Sequence, residues 1–258
     1  DDVLIWAADF EELLERLSMV LERLANAGLT LKPSKAVIAA CQVDWMGYLV
    51  TREGICVSPS KVAAIEKIDP KSICTLSAVR AFLGSCGYHR KWVRSYSEIA
   101  APLVALTRNG VDVATESQKE PAQEAIRKLK WALCNAPVLA QPRQDRPFLL
   151  CTDASLTGLG AVLAQCDDDG RERPVAYWGR TLTGPETRYT ITEIELLAIV
   201  CSVAHFRTYL YSTSGRKFVI ITDHAALCWL HSNKDTTGGG AASRLSRWYL
   251  RLSEYSFE

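Results

Sequence analysis

Apolar positions recur along this chain with two different periods, and each change of period marks the end of an element. Phe10, Leu13, Leu14, Leu17, Leu21 and Leu24 return every three or four residues, the spacing of one helical face. Asp9 with Glu12 predicts a capping box ahead of that helix; Gly28 stops it and Pro33 lies beyond. β-prone runs at Val3–Trp6, Ala36–Cys41, Asp44–Val50 and Ile55–Val57 predict strands, with Arg52-Glu53-Gly54 as the turn before the last. Residues 1–58 read as a mixed α/β unit too small to bury a full core of its own.

From Ser60 the pattern turns helical over Ser60–Ile68, Ser77–Gly87 and Ala100–Leu106, punctuated by Pro70, Gly87 and Pro102. One more helix, Pro121–Cys134, precedes Pro137, Pro142 and Pro147, and residues 109–146 read as a connector. The texture then changes again. Phe148–Ser155 and Gly158–Cys166 are β-runs joined by a tight turn, Asp167–Gly170 is a hairpin turn, and Pro174–Thr181 is a third strand. A long helix spans about Thr192 to Tyr211, followed by a strand at Lys217–Thr222 and a short helix at Ala225–His231. After Gly238-Gly239-Gly240 comes an amphipathic helix, Ser243–Tyr255. Three antiparallel strands, a helix and another strand make an α/β unit with a mixed sheet.

Composition narrows the class without naming a function. The 258 residues admit one large domain or two modest ones, and 48% hydrophobic with 23% charged residues is an ordinary globular balance. A net charge of +1 names no partner. Residues 60–108, however, carry eight bases against three acids, a local surplus of five. The longest strongly apolar stretch, Ile194–Ala204, is interrupted by Glu195 and too short to cross a bilayer, so no membrane partner is expected. The chain opens on two Asp residues rather than a basic-then-apolar leader, and without an initiator Met it is expected to start inside a longer protein. Nine Cys with no C-x-x-C pair exclude a disulfide scaffold and a zinc ribbon, and favour a reducing compartment.

Three carboxylates in the last unit carry candidate chemistry. Asp153 sits in an otherwise apolar run, where a charge is costly unless paired or bound to a metal. Asp223 ends the fourth strand in the same Thr-Asp context, and Glu195 lies in the first turn of the long helix. Hard divalent ions want oxygen ligands, and two of them ~4 Å apart clamp the attacking and leaving oxygens of a phosphodiester. The plainer alternative is that Asp153 and Asp223 are strand-end acids paired with Arg. Glu193 competes with Glu195; two positions apart on a helix, the two side chains point about 200° apart.

Thr152-Asp153-Ala154-Ser155, Gly158–Leu163, Arg180-Thr181-Leu182, Tyr189–Val200, Phe206–Leu210, Thr222-Asp223-His224 and Arg247–Leu252 together resemble the ribonuclease H domain of gypsy-like LTR retrotransposon Pol polyproteins. The resemblance implies Asp153, Glu195 and Asp223 as catalytic acids holding Mg²⁺, with Mn²⁺ as an alternative. It chooses Glu195 over Glu193, so Glu193→Gln is expected to leave cleavage nearly unchanged. Asp1-Asp2-Val3-Leu4-Ile5 resembles the end of the reverse-transcriptase Y-x-D-D motif, which implies Asp1 as a polymerase metal ligand and Asp2 in support. Alone, the two acids would read as a solvated terminus. Trp45-Met46-Gly47-Tyr48 is similar to the primer grip, a hairpin that holds the primer 3′ end; Arg80–Gly84, Tyr88–Lys91 and Ile99–Leu103 resemble the thumb.

The implied organisation is the end of the palm at 1–58, a helical thumb at 59–108, a connection at 109–146 and a ribonuclease H-like domain at 147–258. The implied function is to copy RNA into DNA and to hydrolyse the RNA of the hybrid, in the cytoplasm or within virus-like particles, with primer-template and RNA–DNA hybrid as partners. Arg90 and Lys91 are the bases expected to meet the phosphate backbone, since thumb charge binds duplex without reading sequence. Among the aromatics, Tyr88, Trp92 and Tyr96 recur every four residues, a spacing commoner in packed cores than in base-stacking platforms. Departures from the pattern are the Tyr-x ahead of the Asp pair, the upstream palm Asp, the fingers, the fourth nuclease acid, and an aromatic-x-Trp in Val111–Glu116. Both sites are therefore expected to be cut in this chain. The alternative is a decayed or domesticated remnant that only binds nucleic acid.

Overall fold

The computed structural model describes residues 2–108, 116–211, 217–225, 227 and 241–258. Helix α1 (Phe10–Asn26) is followed by a small antiparallel sheet of β1 (Val43–Trp45), β2 (Tyr48–Thr51) and β3 (Gly54–Val57), and by helices α2 (Pro59–Glu66), α3 (Leu76–Tyr88), α4 (Tyr96–Leu106) and α5 (Glu116–Cys134). A second sheet holds β4 (Leu149–Ala154), β5 (Gly158–Cys166), β6 (Glu172–Thr181) and β7 (Val219–Ile221), with α6 (Ile191–His205), α7 (Arg207–Leu210) and α8 (Ala241–Leu252).

The N-terminal segment departs most from the sequence pattern. Asp9 caps α1 by accepting the Glu12 N–H at 2.9 Å, but the Glu12 carboxylate accepts from Ala8 rather than Asp9, so only half of the reciprocal box forms. No residue of α1 is buried, and Phe10, Leu14 and Leu21 of its apolar stripe are exposed. Val3–Trp6 and Ala36–Cys41, expected as strands, form none. A strand exists only when an edge pairs its backbone groups, and no described segment offers one to either run. Asp2 lies exposed in this unpaired segment, and Asp1 is outside the described residues.

The expected strand at Asp44–Val50 is two strands. Met46 and Gly47 both take positive φ, +51° and +78°, which is the two-residue hairpin loop whose twist matches the flanking strands. At Gly54 (φ +145°) an added Cβ would fall 2.0 Å from the Leu139 carbonyl oxygen. Only glycine permits that approach, through which Ile55 and Leu139 exchange backbone hydrogen bonds of 2.8 and 2.9 Å. The small sheet is thereby tied to the segment leading into β4.

Helices α2 to α5 enclose their own core, with Phe82, Leu103, Ile126 and Leu129 fully buried. Helix α4 begins four residues before the expected start at Ala100 and runs through Pro102, which costs one backbone bond without breaking the helix.

The second sheet has the order β6-β5-β4-β7; β4, β5 and β6 form an antiparallel meander, and β7 lies parallel to β4. Helix α6 is apolar almost all round, as a helix must be when it is buried on most sides, and packs with Leu150, Leu163 and Phe218 in one core. The expected long helix divides at Phe206 into α6 and the single turn α7. Trp248 and Leu252 close the core from α8. The expected helix at Ala225–His231 lies mostly outside the described residues, as do the glycine loop and most of Val111–Glu116. No described helix is long and apolar enough to cross a membrane.

Candidate functional site

The parallel pairing of β4 with β7 is what assembles the acids. Cys151 pairs with Ile221, so Asp153 and Asp223 each follow the last registered pair by two residues, toward the same end of the sheet. Both are exposed. Glu195 reaches the same end of the sheet from α6 but is only 6% exposed, and its Oε2 is buried without a hydrogen-bond partner among the described residues. Burial, then the charge of Asp223, then that of Asp153, push its pKa up to about 7. A carboxyl raised in this way is one that shares a site with like charges.

Among the described residues no group of three acids, histidines or cysteines is drawn together tightly enough to hold a metal ion as it stands. The donor set nevertheless fits a hard divalent ion: three carboxylates, and one buried oxygen that lacks any other partner.

Neighbouring side chains have separate tasks. Glu193 is the third residue of α6 and closes a full capping box: its Oε2 accepts the Thr190 N–H at 2.8 Å, and its N–H donates to Thr190 Oγ1 at 3.3 Å. Its Oε1 accepts from Arg244 Nη1 at 2.7 Å. The side chain is therefore buried and engaged in capping α6 and pairing with Arg244. Sequence reasoning also missed the bond between Thr192 Oγ1 and His224 Nε2 at 3.0 Å, which ties the turn carrying Asp223 to the first turn of α6. The signal for it was the histidine directly after Thr222-Asp223.

The other flank of Asp153 faces the helical segment. Ser95, Ser97 and Glu98 line a small cleft with Asp153, and Ser155 Oγ donates to Glu98 Oε1 at 2.6 Å. Asp153, Gly160 and Gly179 lie in one cross-strand row. Arg90 Nη2 and Ser97 Oγ both donate to the Gly179 carbonyl, each at 2.6 Å. Arg90 thus holds the helices to the sheet.

Trp45, Met46, Gly47 and Tyr48 form the β1–β2 hairpin. Tyr48 stacks on Tyr88 at 5.1 Å, and the Tyr88 hydroxyl donates to the Met46 carbonyl at 2.8 Å. Lys91 Nζ lies 4.7 Å over Tyr48 and 4.4 Å over Trp92, and burial lowers its pKa. The hairpin and Lys91 are one aromatic cluster with Met46 exposed at its tip, while Asp2 belongs to neither cluster.

A meander of three strands, a fourth parallel to the first, and acids gathered at one end of that pair define a ribonuclease H-like domain. The family described as an RNase H-like domain found in reverse transcriptase matches residues 143–255. Over its whole length the chain is 36% identical to the retrovirus-related Pol polyprotein from transposon opus and 37% identical to that from transposon 297, both of Drosophila melanogaster. The chain belongs to these Pol polyproteins of gypsy-like LTR retrotransposons, and it spans 26% and 23% of the two relatives' lengths. Its fold is similar to that of a foamy viral protease-reverse transcriptase solved with double-stranded DNA, at TM-score 0.74 and 21% identity over 95% of this chain and 50% of that one. The same viral protein solved with an RNA/DNA hybrid gives 0.69 and 21%, over 98% of this chain and 34% of that one.

Proposed function

We propose that residues 147–258 are the nuclease part of a retrotransposon reverse transcriptase, hydrolysing the RNA strand of RNA–DNA hybrids, and that residues 1–58, 59–108 and 109–146 are the palm end, thumb and connection of its polymerase. The observation that carries the nuclease reading is the buried, unpartnered oxygen of Glu195, set among the charges of Asp223 and Asp153. Asp153, Glu195 and Asp223 would hold Mg²⁺ or Mn²⁺, which when bound supplies a nucleophilic water at neutral pH and offsets charge on the phosphate. The chain's own part is to preorganise that set. The β4–β7 pairing brings both acid-bearing segments to one end of the sheet, the Thr192–His224 bond ties the turn of the second to α6, and the core around α6 holds Glu195.

The polymerase reading rests on residue resemblance at Asp1, Asp2 and the Trp45–Tyr48 hairpin. The complexes solved for the foamy viral enzyme support duplex and hybrid as the class of partner.

The test is hybrid cleavage by a full Pol protein containing this segment. Asp153→Asn, Glu195→Gln and Asp223→Asn are each expected to reduce cleavage by at least about 100-fold, since each removes a metal ligand at nearly constant shape, while hybrid binding is retained. Binding without cleavage in the unmutated protein would instead favour a remnant that only holds nucleic acid.

A further inference from the structure

A groove of about 530 Å³ runs between the Trp92–Ile99 segment, α5 and strand β6. Its lining combines two chemistries. Trp131 stands 70% exposed on one wall, and Tyr177 lies partly buried opposite. Arg94, Arg127 and Lys128 supply three cations against the single acid Glu124, which pairs with Arg127 at 2.9 Å and with Lys128 at 3.8 Å. Arg94 makes no hydrogen bond or ion pair among the described residues, yet its charge is felt by Tyr177 and Cys151. The groove thus pairs an open indole face with a guanidinium that has no anion among the described residues.

Its size lies in the range of about 300–1,000 Å³ typical of small-ligand pockets, which suits a base with its phosphates and not a duplex. An apolar occupant would leave the cations uncompensated, and a simple anion would leave the indole uncovered. A single strand of nucleic acid satisfies both, because every nucleotide brings one negative charge and one flat π-face. Arg94 and Ile99 line the groove, while Ser95, Ser97 and Glu98 of the same short segment face Asp153.

We infer that this groove binds single-stranded nucleic acid, stacking a base on Trp131 and holding a phosphate at Arg94. The chemistry of the groove stands independently of the nuclease reading.

The test is fluorescence anisotropy of a labelled eight-nucleotide oligouridylate with the full chain, in EDTA so that no cleavage intervenes. Trp131→Ala is expected to weaken binding about tenfold, and Trp131→Phe to restore most of it. Arg94→Ala is expected to weaken binding and to reduce the slope of log affinity against log salt by about one. Equal melting temperatures establish that the variants are folded, as expected for exposed positions. Oligouridylate that fails to bind, or binds both alanine variants as tightly as the unmutated chain, overturns the inference. So does a change of oligomeric state in Trp131→Ala by light scattering, which would make the groove a contact between copies of the chain. Binding that depends on Trp131, in a Pol protein that never cleaves hybrid, would sink the nuclease reading and leave the groove standing.

Discussion

Arg244 on α8 donates to the Glu193 carboxylate at 2.7 Å, across the start of α6 and two residues ahead of Glu195. The guanidinium also lies 4.1 Å over the Tyr189 ring, so one arginine pins the last described helix to the entry of the helix that carries the buried acid. Glu193 and Glu195 are both buried glutamates on one helix turn, and their surroundings give them opposite character. Glu193 has four polar contacts, while Glu195 keeps an oxygen with none.

That contrast separates two variants. Glu193→Ala is expected to destabilise the domain by about 1–3 kcal/mol in urea unfolding, because it removes a cap and leaves a half-buried guanidinium unpaired. Glu195→Gln is expected to unfold at the same urea concentration as the unmutated protein or higher, when metal is absent, since it relieves like-charge repulsion. The reverse ranking would exchange the roles assigned to the two residues.

Divalent ions should stabilise the domain by binding the folded acids and not the unfolded chain. At 100 times the dissociation constant the gain is about 2.7 kcal/mol, read as a rise in melting temperature with Mg²⁺ or Mn²⁺. Asp153→Asn should abolish most of the rise. Equal stabilisation of the variant would place the ion elsewhere.

Acid stability should depend on Arg180 and Glu186. Their two-pronged contact, at 2.7 and 2.9 Å, holds the Glu186 carboxyl down to about 2 from its ordinary 4.5. A depressed carboxyl contributes stability that is full above the unfolded pKa and lost as pH falls toward the folded one. The contribution is therefore expected above pH 4.5 and to fade between 4.5 and about 2. Glu186→Gln should cost about 1–2 kcal/mol at pH 7, after discounting for solvent screening, and flatten the acid limb of a urea-unfolding pH series. An unaltered acid limb would mean the pair adds nothing to folding.

Hybrid binding by a Pol protein containing this segment should weaken steeply with salt, because phosphate contacts release counterions. Changing Arg90 and Lys91 together to Ala should lower the melting temperature, since one holds the Gly179 carbonyl and the other covers Tyr48 and Trp92. If the pair also meets the duplex, the log–log salt slope falls by about two; if their work is internal, the slope stays and only stability drops. Filter binding at four salt concentrations distinguishes these outcomes.

Sequence alone determined the elements whose signals are local. The alternating runs of β4 to β6 and the apolar helix between Ile194 and Val203 each lie within a few residues of their cause. The order of residue blocks likewise carried the family and picked out Asp153, Glu195 and Asp223, because motif spacing is written in the chain. What it could not carry was pairing. Val3–Trp6 and Ala36–Cys41 have strand-forming residues but no edge to join, and strand formation is a property of two segments. Only the tertiary structure decided that β7 runs parallel to β4, which sets Asp223 and Asp153 toward the same end of the sheet. It alone assigned Arg90 to the Gly179 carbonyl, Glu193 to Arg244 and His224 to Thr192. Those partners are from 32 to 89 residues apart, a separation that leaves no periodic trace in sequence; contact between them follows from how the layers pack.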